Sequence, residues 1–194
     1  MTVNYKETSD KGEIKQKTLE YLILLVLGAV DRPVTLIHLQ KEVFLLWNFH
    51  SFVRKLTKFV KHYKGPFSRE ISETIQNPMF LRGYWEYIPP DKDDDISGGI
   101  VKLTEVGKKE YEKIAEKMRT QEKYRHLLSG IKMVRELYDN LTPEELLLLI
   151  YDTYPEYSEK SIIFKRIFSK RKILAQKLYR NKLIDKKRFE ELVT

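Results

Sequence analysis

The stretch SREISETIQNPMFLRGYWEYIPPDKDDDISGGIVKL, residues 68–103, decides the fold class. Ser68 is a good N-cap, Ile71 and Ile75 mark one apolar side, and Pro78 stops the pattern, which predicts a short helix over Arg69–Asn77. Arg69, Ser72, Glu73 and Gln76 fall on its outer side. Tyr84–Ile88 reads as a strand, Pro89 through Gly99 as a turn-rich loop, and Ile100–Leu103 as the returning strand. Two such runs around a loop form a hairpin.

Upstream, Ile14–Val30 reads as a helix, apolar on nearly every side from Leu22 to Leu27, as a central core helix must be. Asp31-Arg32-Pro33 breaks it, and Thr35 caps a second helix with Leu36, Leu39, Val43, Leu46 and Trp47 on one stripe. Phe49, Phe52, Val53, Leu56, Phe59, Val60 and Tyr63 then fall at helical spacing and predict a third helix, ended by Lys64-Gly65-Pro66. Its opposite face carries Arg54, Lys55, Lys58, Lys61 and His62 without an acid, whereas a merely solvated face usually mixes both signs. The aromatic set Trp47, Phe49, Phe52, Phe59, Tyr63, Phe67, Phe80, Tyr84 and Trp85 sits at core spacing, which favours packing over base stacking.

Downstream, Thr104 opens a helix striped by Tyr111, Ile114, Ala115 and Met118, and a break is expected near Thr120. A further helix spans Tyr124–Tyr138. Thr142-Pro143-Glu144-Glu145 is a capping signature leading into Leu146–Tyr151. After Pro155, a last long helix is expected from Ser158 through Leu178, then a turn at Asn181-Lys182 and a short helix capped by Asp185.

Helices followed by a short helix and a hairpin is the order of a winged helix, a helix-turn-helix variant. The expected architecture is mostly α with a small β-hairpin: a winged helix-turn-helix domain at 1–119 and a helical C-terminal region at 120–194. Arg69–Asn77 then takes the recognition position, with Arg69 suited to guanine or phosphate, Gln76 or Asn77 to adenine, and Ser72 beside them.

The run HLQKEVFLLW, then YKGPFS before the short helix, LTEVGKKEYEKI after the hairpin and LLLLIYDTYPEYSEKS beyond resemble a group of archaeal winged-helix proteins of unassigned or regulatory role. These pieces touch most of residues 20–165, and LTEVG is shared by winged-helix regulators generally. Relative to that group, the chain carries extra residues between FLLW and YKGPFS. LQK…GPFS is also similar to antitoxin-like domains. The resemblance implies a winged helix and no particular site residues.

Charge and composition bound the function. The 194 residues carry a formal +8 with a pI near 9.4, and no cysteine, which excludes disulfides, thiol chemistry and cysteine zinc sites. Asn and Gln together number ten against abundant Lys, Glu and Tyr, the balance of heat-adapted proteins. The N-terminus has no apolar signal core and no stretch is long enough to span a membrane, so the expected setting is the cytoplasm. The positive charge is concentrated: residues 1–65 carry +5 and residues 158–194 carry +8, while the middle of the chain is negative. Arg54–Lys64 and Lys160–Arg188 therefore hold the positive field, which points to polyanions. In the second segment, Lys165, Arg166, Lys170, Arg171 and Lys172 alternate with apolar residues, and Ala175–Leu192 has helix-turn-helix spacing. A solvated helical arm explains that pattern equally well.

Other chemistry finds little footing. Asp91-x-Asp93-x-Asp95 departs from a calcium loop, with Ile96 at the sixth position and Lys102 at the twelfth. His38, His50, His62 and His126 show no i, i+3 or i+4 pair, and no phosphate-loop, zinc-helix or nucleophile-elbow motif occurs. The expectation is a binding protein without catalytic residues, metal or cofactor. Duplex DNA is the first expected partner. Against it stands the acidic hairpin loop Asp91–Asp95, whose carboxylates repel phosphates and which suits a protein partner instead. A homodimer is a further expected assembly, since winged-helix regulators often pair.

Overall fold

The computed structural model describes residues 4–194, with side chains from Asp10 onward. It is mostly helical with a small antiparallel sheet. Helix α1 (Asn4–Gly28) buries Leu22 through Leu27 completely, as an all-round apolar segment requires. It ends at Gly28, where a Cβ would lie 2.2 Å from the ring of Tyr111. Only glycine lets the fifth helix approach so closely. Strand β1 (Val34–Thr35) leads into α2 (Leu36–Phe49), capped by Thr35, whose Oγ1 accepts from the His38 amide at 3.2 Å.

The third helix expected over Phe49–Tyr63 is not there. Instead a one-turn helix, α3 (Ser51–Leu56), is followed by a hairpin of β2 (Val60–His62) and β3 (Gly65–Phe67). The reason is local. His50 and Thr57 are both extended, Trp47 Nε1 donates to the Thr57 carbonyl at 3.1 Å, and the Thr57 hydroxyl contacts that of Ser68. Gly65, at φ +80, closes the β-turn, a conformation L side chains rarely adopt. Of the apolar run, Val53, Leu56 and Phe59 are buried, whereas Phe49, Phe52, Val60 and Tyr63 face solvent, so packing explains only part of the aromatic set. The mixed strand and helix period of that run misled the periodicity.

Helix α4 (Arg69–Gln76) and the hairpin of β4 (Trp85–Ile88) and β5 (Ile100–Leu103) follow as expected, with Asn77 as C-cap. A strand the sequence did not betray joins them: β1 pairs with β5, so the sheet order is β1-β5-β4. Helices α5 (Glu105–Arg119) and α6 (Glu122–Tyr138) flank the break near Thr120, and α7 (Pro143–Thr153) carries the full capping box between Thr142 and Glu145. The single helix expected from Ser158 to Leu178 is instead a 3-10 turn at Pro155–Tyr157, a further turn, α8 (Phe164–Ser169) and α9 (Arg171–Arg180). The chain closes with α10 (Lys186–Val193).

The core is continuous from α1 to α10, and α2 lies at its centre with ten of its residues buried. Four of these are polar, and each reaches a different segment. His38 Nε2 donates to the Leu141 carbonyl at 2.8 Å while its Nδ1 accepts from the Thr35 hydroxyl at 2.7 Å. Gln40 holds both the amide and the carbonyl of Ser68, at 2.9 and 2.8 Å. Lys41 Nζ donates to the Pro66 carbonyl at 2.8 Å. Glu42 takes Arg135 Nη1 on both oxygens, at 3.0 and 3.1 Å, with neither side chain exposed. Arg135 extends the chain of charges to Asp139 at 3.1 Å, and Asp139 pairs in turn with Arg32. On α1, the fully buried Glu20 accepts from the amides of Met79, Phe80 and Leu81 at 2.8, 2.8 and 2.7 Å, and Gln16 Nε2 donates to Thr74 Oγ1 at 3.0 Å. These bonds fix α4 and the segment after it.

Removing one partner of a buried pair strands the other. Arg135→Ala is expected to destabilise the protein by about 3–5 kcal/mol, and the double variant Glu42→Leu/Arg135→Met to regain most of that, as measured by urea unfolding. His38 titrates through the same core. Burial first, then the nearby Arg135 and Lys41 charges, hold its pKa down at about 4 against the pull of the Leu141 carbonyl. Its folded pKa lies below its unfolded value of about 6.5, so stability is full above that value and falls as pH drops toward 4. Between pH 7 and pH 5 the loss is about 2 kcal/mol. His38→Gln, which keeps a donor toward Leu141, should flatten that dependence in urea melts at the two pH values.

Candidate nucleic-acid interface

Helix α4 sits where the sequence placed it. Ser68 Oγ accepts from the Ile71 amide at 3.3 Å, and Ile71, Thr74 and Ile75 are buried. Arg69, Glu73 and Gln76 are exposed, with Ser72 half-buried between them. The outer face is largely satisfied by itself: Arg69 Nε donates to Glu73 at 2.7 Å, and Gln76 Nε2 to Ser72 Oγ at 3.2 Å. With Glu70 also on this helix, α4 carries no positive surplus. Beside its C-terminal end lies an open groove of about 590 Å³ bordered by Gln76, Asn77, Arg82, Trp85 and Tyr87. Trp85 Nε1 donates to the Ile75 carbonyl at 3.0 Å and sets the distance between α4 and β4.

The basic set Arg54, Lys55, Lys58 and Lys61 does not share one helix face. Arg54 and Lys55 end α3, Lys58 lies in the extended link, and Lys61 is on β2. Two of the four are committed internally. Arg54 Nε donates to the Trp47 carbonyl at 2.8 Å and its Nη2 to that of Asn48, while the guanidinium lies over the Trp47 ring. Arg54 thus serves the carbonyls at the end of α2. Lys61 pairs with Glu159 at 2.7 Å. Lys55 and Lys58 are exposed and have no ion-pair partner among the described residues.

The C-terminal set divides likewise. Arg166 pairs with Asp95 at 2.5 Å and approaches Glu144 at 3.6 Å, Lys170 pairs with Glu144 at 3.1 Å, and Arg171 reaches the Thr194 carbonyl at 3.3 Å and stacks over Phe168. Lys165 and Lys172 remain exposed and unpaired among the described residues. Five further cations of the Lys160–Arg188 segment share this condition: Lys160, Lys177, Arg180, Lys182 and Lys187. Whether a cation is spent on an internal acid depends on tertiary contacts, so a count of charges along the chain could not separate the two kinds.

Several of the free cations ride on a helical hairpin. Leu178 and Leu192 are buried, and the Tyr179 and Phe189 rings stack at 5.2 Å, so α9 and α10 pack together. The turn is closed by Lys182 at φ +58, with the Leu183 amide bonded to the Leu178 carbonyl at 3.0 Å, a Schellman-type end. The two basic segments of the sequence also meet. The Tyr63 carbonyl at the tip of the β2–β3 hairpin accepts from the Ile162 amide at 3.1 Å and the Ser161 hydroxyl at 3.2 Å, next to the Lys61–Glu159 pair.

Two carboxylates of the acidic loop are engaged within the protein. Asp94 turns its carboxylate into the loop, accepting from the Ile96 and Ser97 amides at 3.1 and 2.8 Å and from the Ser97 hydroxyl. These bonds hold its pKa below the usual carboxylate range. Asp95 is engaged by Arg166, and Asp91 and Asp93 stay exposed. Among the described residues no group of three or more His, Asp or Glu side chains is placed to hold a metal ion, and no helix is long and apolar enough to cross a membrane. No protein family, curated protein or solved structure matches the chain.

Proposed function

We propose that the protein binds duplex DNA as a winged-helix regulator whose phosphate grip comes chiefly from the C-terminal helical hairpin. The observation that carries this reading is the set of exposed cations within the two basic segments that have no ion-pair partner among the described residues: Lys55, Lys58, Lys160, Lys165, Lys172, Lys177, Arg180, Lys182 and Lys187. Cations with no protein acid to satisfy them are the ones available to phosphates, and each phosphate contact releases a counterion. The order α1-β1-α2-α4-β4-β5 with sheet order β1-β5-β4 supports the winged-helix part, with α3 and the β2–β3 hairpin as an insertion before α4. In this reading α4 supplies modest base readout through Arg69, Ser72 and Gln76, whose mutual bonds open when a base edge competes for them. The Asp95–Arg166 pair removes part of the repulsion that the acidic loop presents to DNA.

A second reading, a protein-interaction module, is favoured by one feature. Leu45, Phe49, Met133, Leu137 and Tyr154 border an apolar groove of about 250 Å³ between α2, α6 and α7. Phe49 and Met133 are 53% and 50% exposed, and exposed apolar surface of this kind often marks a contact with another protein.

Fluorescence anisotropy with random duplex DNA over a salt series tests the first reading. Binding should weaken steeply, with a log–log slope of about −0.9 per phosphate contact. Lys177→Glu and Lys58→Glu should weaken binding to every sequence and reduce the slope, by about one contact each. Gln76→Ala should change the preference among sequences and leave random-duplex affinity unchanged. Absence of binding at low salt would remove the DNA reading and leave the apolar groove as the site to pursue.

A further inference from the structure

Among the described residues, buried charge is answered by a partner, with one exception. Glu20 accepts three backbone amides, Glu42 faces Arg135, and Glu145 closes its capping box. Lys41 is only 2% exposed, yet no carboxylate lies within ion-pair distance of it among the described residues. Among the described residues its one side-chain hydrogen bond runs from Nζ to the Pro66 carbonyl, which uses one of the three donors of an ammonium. Burial, with the neighbouring Lys64 charge, pushes its pKa down to about 7. A cation stripped of water without a counter-charge is costly.

A cavity of about 160 Å³ is bordered by Lys41, between α2, the β2–β3 hairpin and the loop that precedes β5. Leu36, Ile37, Phe67 and Ile96 give it apolar walls, Lys41 and Lys64 are its basic groups, and the His62 imidazole, its pKa lowered by burial and by those two neighbours, lines it as a neutral ring. None of these side chains is fully exposed. Asp94 bonds within its own loop and Asp95 with Arg166; both lie within the field of Lys64, and neither pairs with Lys41. The first amides of α2 are occupied too, since Leu36 and Ile37 donate to the Gly99 and Ser97 carbonyls, each at 2.9 Å. What is missing is an anion. The volume lies below the roughly 300 Å³ at which drug-sized ligand sites begin, and the walls are apolar, so the missing anion is small and carries a hydrocarbon part.

We propose that this cavity binds a small organic carboxylate with a short apolar body, its oxygens on Lys41 Nζ and the Lys64 ammonium and its carbon chain against Leu36, Ile37, Phe67 and Ile96. Such a ligand touches α2, the inserted hairpin and the root of the β4–β5 loop at once, and so ties the two hairpins together. The proposal does not rest on the nucleic-acid reading, because occupancy is measured without DNA.

Butyrate is the probe, with 1-butanol as the uncharged control and chloride at matched ionic strength. Isothermal titration should show saturable binding of butyrate and none of butanol, and melting curves should rise with butyrate alone. Lys64→Met leaves the Lys41–Pro66 bond in place and should weaken binding about tenfold. Lys41→Met should abolish it. If that variant does not fold, 13C-lysine labelling of the wild-type chain decides: the Lys41 Cε resonance should move on titration with butyrate. No saturable butyrate signal up to roughly 100 mM, a weakness beyond any specific site, would overturn the proposal. So would wild-type affinity in Lys64→Met, or a Lys41 resonance that stays fixed.

Discussion

The structure depends on one helix that is buried all round and is nonetheless polar. Along α2, His38, Gln40, Lys41 and Glu42 lie at successive angles of about 100° per residue, so their side chains radiate in different directions. Each meets a different part of the chain: Leu141 ahead of α7, Ser68 ahead of α4, Pro66 on β3 and Arg135 on α6. A buried polar group left without its partner costs about 1–3 kcal/mol. Alternative placements of these four segments around α2 therefore forfeit several such bonds together. Apolar packing alone tolerates sliding, whereas directed bonds specify one arrangement.

This arrangement sets what the surface can do. Ser68, fixed by Gln40, caps α4, while Glu20 and Gln16 on α1 hold Thr74 and the segment after the helix. Helix α4 is thus immobilised on its inner side and presents a short polar face outward. The Glu42–Arg135–Asp139–Arg32 chain ties α6 back to α2 and to the end of α1. On α7 and α8, Glu144 and Arg166 extend pairing to the acidic loop. Most acids in the middle of the chain are used in this way, and Lys172, Lys177, Arg180 and Lys187 on α9 and α10 are left to the solvent or to a polyanion.

Much of this was legible residue by residue. The caps Thr35, Ser68, Thr104, Thr142 and Asp185 all act as side-chain acceptors at the helix starts they announced, because capping is a local bond that needs no tertiary context. The β4–β5 hairpin and the break near Thr120 follow from equally local signals. The failures are non-local. Two residues of β1 become a strand only because β5 lies beside them. The run from Phe49 to Tyr63 reads as a helix until Trp47, Arg54 and Ser68 draw it into a one-turn helix and a hairpin. The apolar stripe of α2 is visible in the sequence, but the burial of His38, Gln40, Lys41 and Glu42 is not, since their partners lie 25 to 103 positions away. For the same reason Arg54, Lys61, Arg166, Lys170 and Arg171 looked free in sequence and are not.

Native-state hydrogen exchange under mild denaturant tests the central claim, that the polar residues of α2 join the N-terminal helices and sheet to α6 and α7 in a single cooperative body. The account predicts that the slowest amides of α1, α2, α6 and α7 exchange through one global opening, with the same free energy and the same denaturant dependence. A separate opening of α6 and α7 at lower free energy, with α1 and α2 still protected, would contradict it and divide the chain near Thr120.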